Sequence, residues 1–170
     1  RIGDNSFYDC SSFVQITIPD TVTSLGSSSF CGCYSLKFLT IPASVTAIGK
    51  HAFEGCFSLR YITIPSSVTS IDCSAFEACS SLMEIIIQSK LSSIKHSTFC
   101  GCSSLHQIEI PSSVNSIGDT SFCECSSLKK IVIPSSVKSF GKRCFYKCTA
   151  LESIQISDSV KFIESSTFEC

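Results

Sequence analysis

The sequence predicts a repeat solenoid, and three observations predict it. Phenylalanine recurs at one constant interval, at Phe7, Phe30, Phe53, Phe76, Phe99, Phe122, Phe145 and Phe168. Cysteine follows three positions later at Cys10, Cys33, Cys56, Cys79, Cys102, Cys125 and Cys148. Isoleucine holds a further column at Ile18, Ile41, Ile64, Ile87, Ile110, Ile133 and Ile156, and no insertion or deletion breaks the register over 170 residues. Self-similarity at a fixed period of this size marks stacked coils. One unit buries too little apolar surface to offset the entropy of ordering its own residues. Each coil must therefore cover its neighbours and pair its backbone with theirs.

Within a unit the hydrophobic period changes. Leu59-Arg60-Tyr61-Ile62-Thr63-Ile64 ends in strict alternation and reads as a short strand. Proline closes that strand at Pro19, Pro42, Pro65, Pro111 and Pro134, where lateral pairing must stop because its nitrogen carries no donor. Gln88 and Ser157 replace it, so the bend does not require it. Val68-Thr69-Ser70-Ile71 reads as a second short extended stretch. The arc holding Phe53 and Cys56 spaces two buried residues at i and i+3, which predicts a single helical or 3₁₀ turn. The predicted core of a representative unit is Phe53, Cys56, Leu59, Ile62, Ile64, Val68 and Ile71. The residue before each Phe is small, from Ser6 to Thr167, which lets one arc nest on the next. Gly3, Gly26, Gly49, Gly118 and Gly141 share a column with Asp72, Lys95 and Glu164. Lysine and glutamate rarely adopt positive φ, so this glycine serves close approach of two backbones.

Composition narrows the function classes. Charged residues make up 16% and the net charge is −1, which argues against a basic nucleic-acid binder or a disordered acidic segment. No apolar run is long enough to span a bilayer, so direct membrane insertion is not expected. Near the start of the chain Ile2-Gly3 matches Ile48-Gly49, and the chain stops at Cys170 inside a unit. We therefore expect residues 1–170 to be a single solenoid of about seven units from Phe to Phe, truncated at both ends.

The unit Ala52-Phe53, Cys56, Leu59, Ile62-Thr63-Ile64-Pro65-Ser66-Ser67-Val68, Ile71 resembles the BspA-like, or treponemal-type, leucine-rich repeat over the whole chain. The resemblance implies a right-handed, β-rich superhelix with a parallel sheet on its concave side. It further implies a surface protein of anaerobic bacteria or parasitic protists, often an adhesin for host matrix proteins or for other cells. It brings no shared catalytic residues.

Thirteen cysteines invite redox or metal chemistry. The seven in register would stack about one strand spacing (~4.8 Å) apart and read as small buried hydrophobes with weak S–H donors. The others are Cys31, Cys73, Cys100, Cys123, Cys144 and Cys170. Cys100 and Cys123 share a column in adjacent coils and form the expected bridge if the protein is oxidised. Cys-x-Cys pairs at 31/33, 100/102 and 123/125 suggest zinc, but four convergent ligands are needed and one cysteine of each pair belongs to the interior column. We expect no metal and no cofactor. His51, His96 and His106 fall in different columns, and no nucleophile–base set recurs. No catalytic residue is predicted. Serines before the Leu and Val columns, such as Ser58 and Ser67, read as turn chemistry, and Asn5 and Asn115 lack the third residue of a glycosylation sequon.

The residues between the buried strand positions face outward, and there the units differ most. Lys37, Phe38, Arg60, Tyr61, Met83, Glu84, Ile86, Gln107 and Lys130 form the predicted ligand-binding face. Aromatics beside basic groups are typical interface anchors. Lys129, Lys130, Lys138, Lys142, Arg143 and Lys147 add a basic region late in the chain, read as a solvated face. The expected function is a non-enzymatic module of a cell-surface or secreted adhesin, binding an extracellular-matrix or cell-surface protein on its concave sheet. Two alternatives stay open: an intracellular leucine-rich-repeat scaffold or adaptor, and the repeat arm of a larger enzyme.

Overall fold

A computed structural model describes residues 1–169; Cys170 lies outside the described residues. Coils alternate a first strand with a two-residue second strand. In chain order these are β1 (Gln15–Thr17), β2 (Ser24–Leu25), β3 (Phe38–Thr40), β4 (Ala47–Ile48), β5 (Tyr61–Ile64), β6 (Ser70–Ile71) and β7 (Glu84–Ile87). They continue as β8 (Ser93–Ile94), β9 (Gln107–Glu109), β10 (Ser116–Ile117), β11 (Lys130–Val132), β12 (Ser139–Phe140) and β13 (Ser153–Gln155). The first strands form a β1-β3 pair and a five-stranded sheet in the order β13-β11-β9-β7-β5. The second strands form two three-stranded sheets, β2-β4-β6 and β12-β10-β8. All pairing is parallel and in repeat register, as in Tyr61 against Glu84 and Ile62 against Ile85.

The columns predicted from the sequence are lines through the molecule. The eight phenylalanines stack in one row, with successive ring centroids 5.1–5.8 Å apart. Stacked pairs at this separation add about 0.5–1.5 kcal/mol each beyond their burial. The Leu, Ile and Val columns pack around them, and Phe53, Cys56, Leu59, Ile62, Ile64, Val68 and Ile71 are all buried. Serines bind the coils as well. Ser44, Ser67, Ser113, Ser136 and Ser159 each donate a hydroxyl hydrogen bond of 2.6–2.8 Å to a carbonyl of the preceding coil.

The expected helical or 3₁₀ arc is not formed. The arc is a run of turns in which two positions take left-handed backbone angles. One lies two residues before Phe, as at Ser28 (φ 51°) and His51 (φ 56°); the other lies two after, as at Gly32 (φ 75°) and Ala78 (φ 57°). The hydrogen bonds give the reason. Cys31 and Cys33 donate within the arc, to Ser28 and Phe30, at 3.3 and 3.2 Å. Ser28, Phe30 and Gly32 instead donate forward to Lys50, Ala52 and Glu54 of the next coil, at 2.7–2.8 Å. A helix would direct every N–H along its own axis and leave the stacked coil unpaired. The Gly26/Gly49 column is different and answers to close approach: a Cβ on Gly49 would lie 2.6 Å from the backbone of Gly26.

Candidate functional site

The outward positions of the first strands make one continuous face. Lys37, Phe38, Arg60, Tyr61, Met83, Glu84, Ile86, Gln107 and Lys130 are all exposed. Strand alternation produces this, because Leu39, Ile62, Ile85, Ile108 and Ile131 between them point into the core. The register sets their spacing: Tyr61, Glu84, Gln107 and Lys130 are successive neighbours across β5, β7, β9 and β11. Phe38 is 60% exposed, Tyr61 54%, Ile86 47% and Met83 38%, unusually high for large apolar side chains grouped on one face. The Tyr61 hydroxyl reaches the Met83 Sδ at 3.6 Å, joining the aromatic and aliphatic parts of the patch. Beyond it, a hollow of about 700 Å³ runs over Glu84, Ile86, Gln107, Glu109, Lys130 and Val132. The face thus passes from apolar at β3–β5 to mixed charge at β7–β11.

The aromatic surface also extends beyond the strands. Tyr34 and Phe57 stack at 5.1 Å, both exposed, on the rim between arc and strand. The signal was present, since the two lie one repeat apart, but it lay outside the strand.

The cysteines divide by register. From Cys33 to Cys148, six thiols of the column three after Phe each donate to the carbonyl of a Phe in the preceding coil, at 3.1–3.3 Å. Burial pushes the Cys56, Cys79, Cys102 and Cys125 thiols well above their ordinary range. These thiols are therefore poor nucleophiles and poor metal ligands. Cys31 and Cys100 are half-buried one position after Phe. Burial, then the charges of Glu54 and Asp9, push Cys31 up to about 11. Cys100 is pushed up to about 12 by burial, then by Cys123 and Glu77. Cys100 and Cys123 are free thiols in this structure. In each Cys-x-Cys pair the second sulfur donates to a Phe carbonyl of the preceding coil. His51, His96 and His106 stand in separate coils. Among the described residues no helix is long and apolar enough to cross a membrane.

The family model for the BspA type leucine rich repeat region matches in six copies, over residues 1–108 and 92–170. A leucine-rich repeat protein from Bacteroides ovatus is similar at 34% identity and a TM-score of 0.88, over 94% of this chain and 42% of that one. The T. pallidum leucine-rich repeat protein is similar at 30% identity and a TM-score of 0.81, over 85% of this chain and 71% of that one. A leucine rich cell surface protein from Faecalibacterium prausnitzii is similar at 26% identity and a TM-score of 0.57, over 97% and 64%. The chain thus spans less than half the length of the Bacteroides protein. No curated protein matches significantly.

Proposed function

The chain belongs to the BspA-type leucine-rich-repeat family, and from that premise we propose that it is a non-enzymatic protein-interaction module, the repeat region of a cell-surface adhesin. It binds host or neighbouring-cell proteins through the outward face of its first strands. The observation that carries this reading is the grouping of Phe38, Tyr61, Met83 and Ile86, all exposed, on one face of an otherwise periodic array. The Faecalibacterium protein, described as a cell surface protein, supports the location. The mechanism is passive. A solenoid paired coil to coil presents side chains already in place, so little ordering entropy is lost on binding.

The test is binding of the chain to intact and to protease-treated epithelial or bacterial cells, with Phe38→Ala/Tyr61→Ala as the variant. Two anchor residues at about 2 kcal/mol each or more predict at least about a thousandfold loss of affinity. Protease treatment abolishes binding if the ligand is a protein. Equal binding by wild type and variant would remove this face as the site.

A further inference from the structure

One cluster of side chains has no part in the outward face. His51 and Glu54 lie on one arc, three residues apart, and the turn between them is closed by the Glu54 N–H donating to the His51 carbonyl at 3.2 Å. Glu77 stands in the next coil, one repeat after Glu54 and in the same column. One ligand atom from each of the three lies within 4.8 Å of the other two, and all three side chains are half-buried. The His51 Nδ1 is itself buried and lies 2.6 Å from Oε2 of Glu54, yet without the alignment of a hydrogen bond.

The charge around it also bears on the question. Three acidic groups in other arcs meet a permanent cation: Asp4 meets Arg1 at 3.1 Å, Asp72 meets Lys95 at 3.0 Å and Glu124 meets Lys147 at 3.0 Å. Among the described residues no lysine or arginine pairs with Glu54 or Glu77. Two stacked carboxylates that share only an imidazole repel one another, and a divalent cation between them would turn that repulsion into attraction.

We propose that His51, Glu54 and Glu77 form a binding site for a divalent transition-metal ion, with Zn²⁺ as the fitting example. One imidazole nitrogen and two carboxylate oxygens suit Zn²⁺, which takes both ligand types at about 2.0–2.2 Å and commonly keeps a fourth position for water. Ca²⁺ and Mg²⁺ demand more oxygens than three side chains supply. The left-handed backbone at His51 (φ 56°) belongs to its column, because Ser28, Ser74 and Ser97 take the same angle in their own coils. The histidine is thus a specific feature of one coil laid on a general scaffold. With His51 and Glu54 on one coil and Glu77 on the next, the ion staples two neighbouring turns of the solenoid.

The test uses the 170-residue chain and Co²⁺, a coloured surrogate for Zn²⁺. One equivalent should bind with d–d absorption and without a thiolate-to-cobalt charge-transfer band, and Zn²⁺ should displace it. His51→Ser keeps a residue that the column already accommodates, and Glu77→Gln keeps the shape of the side chain. Each should weaken binding by at least about tenfold, a loss seen even for groups that merely support a metal ligand. Zn²⁺ should raise the melting temperature of the wild type and raise that of both variants less at the same concentration. Undiminished affinity in either folded variant would overturn the proposal. So would a charge-transfer band, which would place the ion on Cys31 or Cys100, or absence of binding at millimolar Co²⁺.

Discussion

Two cysteine columns lie two residues apart on the same arc and behave as different chemical groups. Three after Phe, the thiol is buried and donates to a Phe carbonyl of the coil before, as Cys79 does to Phe53 at 3.1 Å. One after Phe, the column holds Tyr8, Cys31, Glu54, Glu77, Cys100, Cys123, Tyr146 and Glu169, a mixture that a sealed interior would not accept. The first column closes the core and satisfies a buried carbonyl. The second faces the rim, where acids and thiols exchange freely. Residue type alone says little here; register along the repeat unit decides what a cysteine does.

The largest test of that contrast is alkaline pH. Burial raises the Cys56, Cys79, Cys102, Cys125 and Cys144 thiols well above the unfolded value of 9.0. The sign follows directly. Below pH 9 these groups are protonated in both states, and their contribution to stability is fully present. As pH rises above 9 the unfolded chain releases protons that the fold retains, so stability falls. Each such thiol lowers stability in the same direction as pH climbs above 9, and their effects add. Urea unfolding at pH 8 and at pH 10 measures this. A flat profile would put these five thiols outside the core.

Next in size is Cys79→Asp, which places a charge in a fully buried site and should destabilise the protein by more than about 4 kcal/mol. Cys31→Gln, in the rim column where glutamates already stand, should cost within about 1 kcal/mol. Chemical denaturation of the two variants compares them directly. Similar losses would erase the distinction between the columns.

Alkylation reads the same contrast kinetically. Cys31, pushed up to about 11, is reachable but seldom ionised. Its reaction with iodoacetamide at pH 8 should run about a hundredfold slower than that of an unperturbed thiol. Cys79 should label only at the rate of unfolding. Mass spectrometry of a labelling time course distinguishes the two, and equal rates would refute the assignment.

Much of this was legible in the unit. A fixed repeat length converts letters into columns, so the Phe row, the buried Ile and Leu positions and the outward set around Phe38 and Tyr61 followed from strand alternation. The Gly26/Gly49 column was readable because Lys95 and Glu164 share it. The arc was not. Most of its left-handed positions carry residues with no preference for positive φ, such as Ser28, Ala78, Thr120, Arg143 and Lys147, and only Asn5, Asp9, His51, Gly32, Gly55 and Gly101 hint at it. The forward hydrogen bonds to the next coil impose that backbone, and they exist only once coils are stacked. The meeting of His51 with Glu77 is hidden for the same reason. Their separation is one full repeat plus the short step from His51 to Glu54, invisible to any search for local ligand motifs.

The smallest effect asks whether register governs serine as it governs cysteine. Ser67 and Ser113 donate to the carbonyls of Val45 and Leu91 in the preceding coils, at 2.8 and 2.7 Å. Lys90 occupies that column in the coil between them, and there the second-strand sheet is interrupted, with β6 and β8 in separate sheets. Lys90→Ser supplies the hydroxyl facing Val68. One hydrogen bond is worth about 0.5–1.5 kcal/mol, so the substitution should stabilise by about 1 kcal/mol. Amide exchange should slow at Ser92 and Ser93 as the two three-stranded sheets join. A destabilised variant would mean that the Lys90 side chain, and not the missing hydroxyl, holds that coil.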